Sequence, residues 1–126
     1  MIMMEMCLNH VSATESGDYF QVLFEEEEDS DKAYFLIQRQ FEFSDGGRFY
    51  IESHDTKLRG HFRIKRAELR RNRFSLELLS KAGGKLQIKF DTDEDKFEEA
   101  KRVLKIMFPR KTLEILDEQH GSIIDT

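Results

Sequence analysis

Lys85-Leu86-Gln87-Ile88-Lys89-Phe90-Asp91-Thr92-Asp93-Glu94-Asp95-Lys96-Phe97 carries the chain from one periodicity to another. Leu86, Ile88 and Phe90 alternate with Lys85, Gln87 and Lys89. A period of two buries one face of a strand and leaves the other in water. Beyond Asp91 the period changes. Phe97, Ala100, Val103, Leu104, Met107 and Phe108 recur at three- and four-residue spacing, the stripe of an amphipathic helix. The stripe stops at Pro109, the only proline in the chain. Acidic residues 91–95 suit the positive end of a helix dipole, and Thr92 with Asp95 has the spacing of a capping box. A helix over 92–108 is predicted. Its length of about 24 Å equals that of a strand of about seven residues, so one helix covers one face or end of a sheet.

Strand patterns precede it. Phe74, Leu76 and Leu78 alternate within Arg73–Leu78, and Ser80-Lys81-Ala82-Gly83-Gly84 turns that strand into Lys85–Phe90. From Lys57 to Lys65, Leu58, Gly60, Phe62 and Ile64 alternate with Lys57, Arg59, His61, Arg63 and Lys65. Arg48–Ser53 is a strand joined to it through His54-Asp55-Thr56. Ala33–Phe43, Asp18–Glu25 and, more weakly, Leu8–Thr14 complete about seven strands. The fold class expected is α+β, mainly antiparallel β, with strands over about 8–90 and one C-terminal helix packed on them. The sheet is a bent one or a half-open barrel, and the pleckstrin-homology-like roll has this element order. A flatter sheet under one helix is the competing arrangement. Leu113, Ile115 and Leu116 in the tail 109–126 call for cover, as does Ile106 outside the helix stripe, but the pattern assigns that tail no element.

The bulk properties fit one domain over 1–126. Hydrophobic residues are 39% and charged residues 36%, and Phe occurs 11 times. A chain of this size buries roughly two-thirds of its unfolded surface without staples. Cys7 is the single cysteine, so no intrachain disulfide forms and a small buried hydrophobe near the first strand is expected. Met1-Ile2-Met3-Met4-Glu5-Met6 has neither the basic start nor the apolar run of a signal peptide. No apolar stretch approaches the ~20 residues of a membrane span. A cytoplasmic protein with no membrane partner is expected.

Charge is segregated. Glu25, Glu26, Glu27, Glu28, Asp29 and Asp31 lie in one run with no base. Such a run is a solvated loop or a docking surface for a basic protein. The alternating Lys57, Arg59, His61, Arg63 and Lys65 are a solvated strand face or an anion-binding face for nucleic acid or a phosphorylated ligand. The net charge of −5 argues against bulk nucleic-acid affinity. Gly46-Gly47 and Gly83-Gly84 read as hairpin turns, not phosphate loops.

No catalytic constellation emerges. His10, His54, His61 and His120 form no HxH or HxxxH pair, and no GxSxG elbow surrounds a serine. Glu52 and His54 share a strand face beside Asp55, which polar residues near a turn explain. No enzyme activity, metal or cofactor is expected.

Tyr34-Phe35-Leu36-Ile37-Gln38-Arg39-Gln40-Phe41-Glu42-Phe43 resembles the "YxxLQR…EF" strand of family ten of the immunity proteins of bacterial polymorphic toxin systems. Phe49-Tyr50-Ile51-Glu52 is similar to that family's "YIE" strand. Ile64-Lys65-Arg66-Ala67-Glu68-Leu69 is similar to its "(I)xRxEL" stretch. Phe74–Leu78, Leu86–Asp91 and Leu104-Lys105-Ile106-Met107-Phe108 follow in the family's order. The likeness spans about Asn9 to Phe108. The segment between Phe43 and Phe49 is shorter than the family's, and the family's double glycine is Gly60-His61 here. The resemblance implies a cytoplasmic protein that neutralises a cognate toxin domain by stoichiometric binding. It carries no catalytic residues and assigns no contact residues. Charge suggests the docking site: many toxins of these systems act on nucleic acid, and the six carboxylates from Glu25 to Asp31 can imitate phosphates before a basic nuclease groove. An anion-binding adaptor using the Lys57–Lys65 face is the alternative.

Overall fold

Alternation places the strands' apolar residues on one side and divides them between two five-stranded sheets. The computed structural model describes residues 3–26, 32–41, 47–55, 58–79 and 84–116. One sheet is antiparallel and follows chain order: β2 (His10–Ser16), β3 (Tyr19–Glu25), β4 (Tyr34–Gln40), β5 (Phe49–Ser53) and β6 (Arg59–Phe62). The other is mixed. Its order is β1 (Met3–Cys7), β9 (Lys85–Lys89), β8 (Arg73–Leu78), β7 (Ile64–Arg70) and β10 (Leu113–Leu116), with β1 parallel to β9 and β10 parallel to β7. The helix α1 (Glu94–Met107) packs closest against β2 and β3.

The two sheets share one core. The inward positions Val22, Phe24, Phe35, Ile37, Phe49 and Ile51 of the antiparallel sheet are all buried, as are Leu69, Phe74, Leu76, Leu86 and Ile88 of the mixed sheet. Phe24 bridges them: its ring stacks on Phe74 at 5.7 Å between centroids and tilts against Phe90 at 5.6 Å. Phe108, just past the helix, stacks on Phe49 at 4.5 Å and meets Phe74 edge-on at 6.4 Å. Such pairs add ~0.5–1.5 kcal/mol each beyond the area they bury.

The helix stripe is as its spacing predicts. Phe97, Ala100, Val103, Leu104, Met107 and Phe108 are buried. The cap differs: Asp93, not Thr92, is the N-cap, and its Oδ1 accepts the Lys96 N–H at 2.8 Å. At the far end, Arg39 of β4 donates to the Met107 carbonyl at 2.6 Å. That carbonyl is one of the four a helix leaves unpaired at its C-terminus, and a cation there complements the dipole.

Several expectations are corrected. Among the described residues there are ten strands, not about seven. The run Lys57–Lys65 is not one strand: β6 ends at Phe62, the chain turns its corner at Arg63, and β7 continues in the other sheet. The weak first strand at Leu8–Thr14 is β2, which begins at His10, and a further strand, β1, precedes it across buried Leu8. The chain itself carries across at both corners and no ladder bonds β1 to β2 or β6 to β7, so the sheets do not close into a barrel. The unassigned tail supplies β10 on the edge of the mixed sheet, with Leu113 and Ile115 packed on the core. Ile106 stays 39% exposed. Cys7, expected to be buried, is exposed, because the alternation of β1 turns Met6 inward instead.

Leu104 is fully buried. Leu104→Ala should therefore lower unfolding stability by about 2–5 kcal/mol, the usual cost of a buried leucine truncation. Denaturant unfolding measures it, and a loss under ~0.5 kcal/mol, the range of surface substitutions, would mean that the helix is not docked on this core.

Candidate functional site

The outward positions of the antiparallel sheet form a continuous surface, because residues opposite one another on neighbouring strands lie on the same face. Ser12, Leu23, Leu36, Glu52 and Arg59 make one cross-strand row. Thr14, Gln21, Gln38, Tyr50 and His61 make the next. His10, Glu25 and Tyr34 lie on one side of them, and Ser16, Tyr19 and Gln40 on the other. The chain has 3 tyrosines, and this face holds them all. They are half-buried, as are Leu23, Leu36 and Gln38.

Glu52 organises the centre. Its Oε2 accepts the Tyr34 hydroxyl and its Oε1 accepts the Tyr50 hydroxyl, each at 2.7 Å. Arg59 donates to the Tyr34 oxygen and to the Ser53 carbonyl, each at 3.2 Å. Beside this group, Gln21 Oε1 accepts both the Tyr19 hydroxyl and, at 2.8 Å, the Gln38 amide. The Tyr50 ring lies 5.3 Å from His61, and Tyr34 N–H donates to His54 Nδ1 at 3.1 Å. The turn below is fixed by buried Ser53, whose hydroxyl donates to the Asp55 carbonyl at 2.9 Å and accepts the Asp55 N–H at 3.1 Å.

These bonds set the ionisation of the group. The hydroxyls of Tyr34 and Tyr50 hold the Glu52 carboxyl below the ordinary carboxylate range, with the Arg59 charge adding to them. The same bonds push Tyr34 and Tyr50 above the ordinary phenol value, and burial does so for Tyr19. At neutral pH the arrangement is therefore one carboxylate and neutral phenols. The signs differ at the two ends of the pH scale. A depressed Glu52 stabilises the fold above the unfolded carboxyl value near 4.3 and loses that contribution as pH falls through its folded value. Raised tyrosines contribute fully below about pH 10 and lose it as pH climbs through their folded values.

Of the residues singled out by charge, Glu25, Glu26, Arg59 and His61 lie on or beside this face. Glu25 ends β3, opposite His10 and Tyr34, and is half-buried. Glu26 is exposed, and its N–H bonds the Ala33 carbonyl at 2.9 Å. Glu27, Glu28, Asp29 and Asp31 lie outside the described residues. The first two residues of the acidic run, Glu25 and Glu26, thus lie at one end of the tyrosine-bearing surface. The basic alternation is divided. Arg59 and His61 belong to β6, Arg63 occupies the corner, and Lys65 belongs to the mixed sheet, where it pairs with Glu77 at 3.7 Å. Lys57 lies outside the described residues. Among the described residues no three His, Cys, Asp or Glu side chains gather as a metal site, and no helix is long and apolar enough to cross a membrane.

Sequence reasoning placed Glu52 and His54 on one face but not the tyrosines they meet. The signal was present: Tyr34, Leu36 and Gln38, then Tyr50 and Glu52, fill the solvent side of their strands with long side chains where short polar ones suffice. Set beside known proteins, the chain matches no protein-family model and no curated protein.

The protein has no tryptophan, so ultraviolet phenolate absorbance reports these tyrosines. All three should ionise above the free value of about 10. In Glu52→Gln, two of the midpoints should fall and that of Tyr19 should stay. If neither of the two moves, the carboxylate is not what holds them.

Proposed function

We propose that this protein is a non-catalytic immunity protein, which binds a cognate toxin domain one-to-one and neutralises it in the cytoplasm of the cell that makes both. The order of motifs from Tyr34 to Phe108 supports this reading. The observation that carries it furthest is the outer face of the antiparallel sheet: large side chains held in place by their own hydrogen bonds, with an acidic run opening from one end.

The two parts do different work. Carboxylates at a rim steer a basic partner and raise its association rate. A nuclease domain is basic where it meets phosphate, and Glu25, Glu26, Glu27, Glu28, Asp29 and Asp31 offer a substitute for the phosphate array. Covering that groove stops the toxin without any reaction, so no catalytic residue, metal or cofactor enters the proposal.

Co-expression with the toxin domain encoded beside this chain should rescue growth. Changing the six carboxylates to Gln or Asn should leave stability nearly unchanged. It should slow association about tenfold or more and remove most of its salt dependence. Failure to rescue removes the immunity reading. Salt-sensitive binding of single-stranded nucleic acid or phosphoinositide vesicles by the free protein would favour the anion-binding adaptor instead.

A further inference from the structure

We infer that the affinity for that partner resides in the outer face of the antiparallel sheet, centred on Tyr34, Leu36 and Tyr50, and that the acidic run governs only the speed of encounter. The inference rests on the proposed function and names the surface and the chemistry of its occupant: a folded protein domain with an apolar centre and a basic rim.

Tyrosine and arginine are the residue types that dominate binding energy at protein interfaces, and here Tyr34, Tyr50 and Arg59 are joined through Glu52. Leu23 and Leu36 lie directly opposite each other and remain half-buried, an apolar strip at the centre of the surface. Ordering a long side chain at an interface costs conformational entropy. Both phenols are already held through their hydroxyls, so much of that cost is met in the free protein. A solvated face has no need of such fixing.

The size is suitable. Five strands of seven residues or fewer present about 20 by 24 Å. That is a little over half of the ~800 Å² that a specific interface takes from each partner. Accessible surface exceeds this flat footprint, because side chains stand off the sheet.

Charge selects the occupant. Arg59 is the only lysine or arginine among the outward positions of β2 to β6, and it is already bonded to Tyr34 and Ser53. Glu25 and Glu26 lie at one end. A polyanion finds little to neutralise it on such a surface. A second copy of this chain brings the same acidic rim and net charge of −5. A protein with a basic rim meets both the acids and the apolar strip.

The test uses the purified full-length protein and the toxin domain encoded beside it, with association and dissociation rates measured separately. Tyr34→Ala with Tyr50→Ala should weaken binding at least about 100-fold, almost wholly through faster dissociation, with thermal melting showing the fold intact. Should that pair fail to fold, Leu36→Arg, at a half-buried surface position, should give the same loss. Glu25→Gln with Glu26→Gln should do the reverse, slowing association and leaving dissociation within about threefold. Lys85→Glu with Lys89→Glu, on the outer face of the mixed sheet, should change neither rate. Tyrosine and Leu36 variants that bind within about threefold of the wild type would overturn the inference while the immunity reading stands. A loss confined to the Lys85 and Lys89 variant would move the interface to the other sheet. Absence of any binding by the wild type would overturn both. Self-association through the tyrosine face, seen by sedimentation and abolished by Leu36→Arg, would make the occupant a second copy and overturn the choice of partner.

Discussion

Phe24 against Phe74 is the contact on which the rest of the structure depends. No ladder joins the described strands of one sheet to those of the other, so side-chain packing has to hold them face to face. Phe24 comes from the middle sheet strands of one layer and Phe74 from those of the other, and their rings lie 12° from parallel. Phe90 leans on the same ring from the strand that leads into the helix. Both rings are almost wholly excluded from water. Shrinking either would leave a cavity shared by both sheets, and the cost of a cavity grows with the volume that the surroundings fail to fill.

The helix is tied into this seam at both ends by arginines. At its start, Arg71 donates to the Thr92 carbonyl at 2.9 Å and to Glu94 at 3.2 Å, with its guanidinium 4.7 Å above the Phe97 ring. At its end, Arg39 bonds the Met107 carbonyl while lying 4.8 Å and 4.9 Å from the rings of Phe41 and Phe49. A guanidinium suits such places because it is planar, stacks on rings and keeps spare donors for carbonyls. Each arginine thus reaches from a strand or a strand turn to one end of the helix.

What could be seen in the sequence follows from which interactions are local. The strands β3, β4, β5, β8 and β9 and the helix were legible because each alternation or stripe is complete within its own segment. The sheet change at Arg63 was not. The alternation continues through it without a break, since Phe62 and Ile64 both point inward from different sheets. β1 and β10 were missed for another reason. Both pair in parallel with strands far away in the chain, and no turn signal announces such a partner. The acidic run was legible as a charge block, but its place beside Tyr34 depends on the register of β3 and β4. The Tyr34–Glu52–Tyr50 group was hidden because its members are 18 and 2 residues apart. Only the sheet brings them together.

Register links the core to the outer face. A slip of one residue between β4 and β5 would turn Phe35 and Ile37 to water and break the opposition of Leu36 to Glu52 at the same moment. Burial of Phe35, Ile37, Phe49 and Ile51 is therefore what fixes the distance from Tyr34 to Glu52 to within a hydrogen bond. The dependence runs one way. The outer residues lean on the inner ones, while Tyr34, Leu36 and Tyr50 alternate with the inward positions and face away from the core. A fold arranged like this can change what its outer face recognises and keep its core, because period-two alternation assigns the two tasks to different residues of one strand.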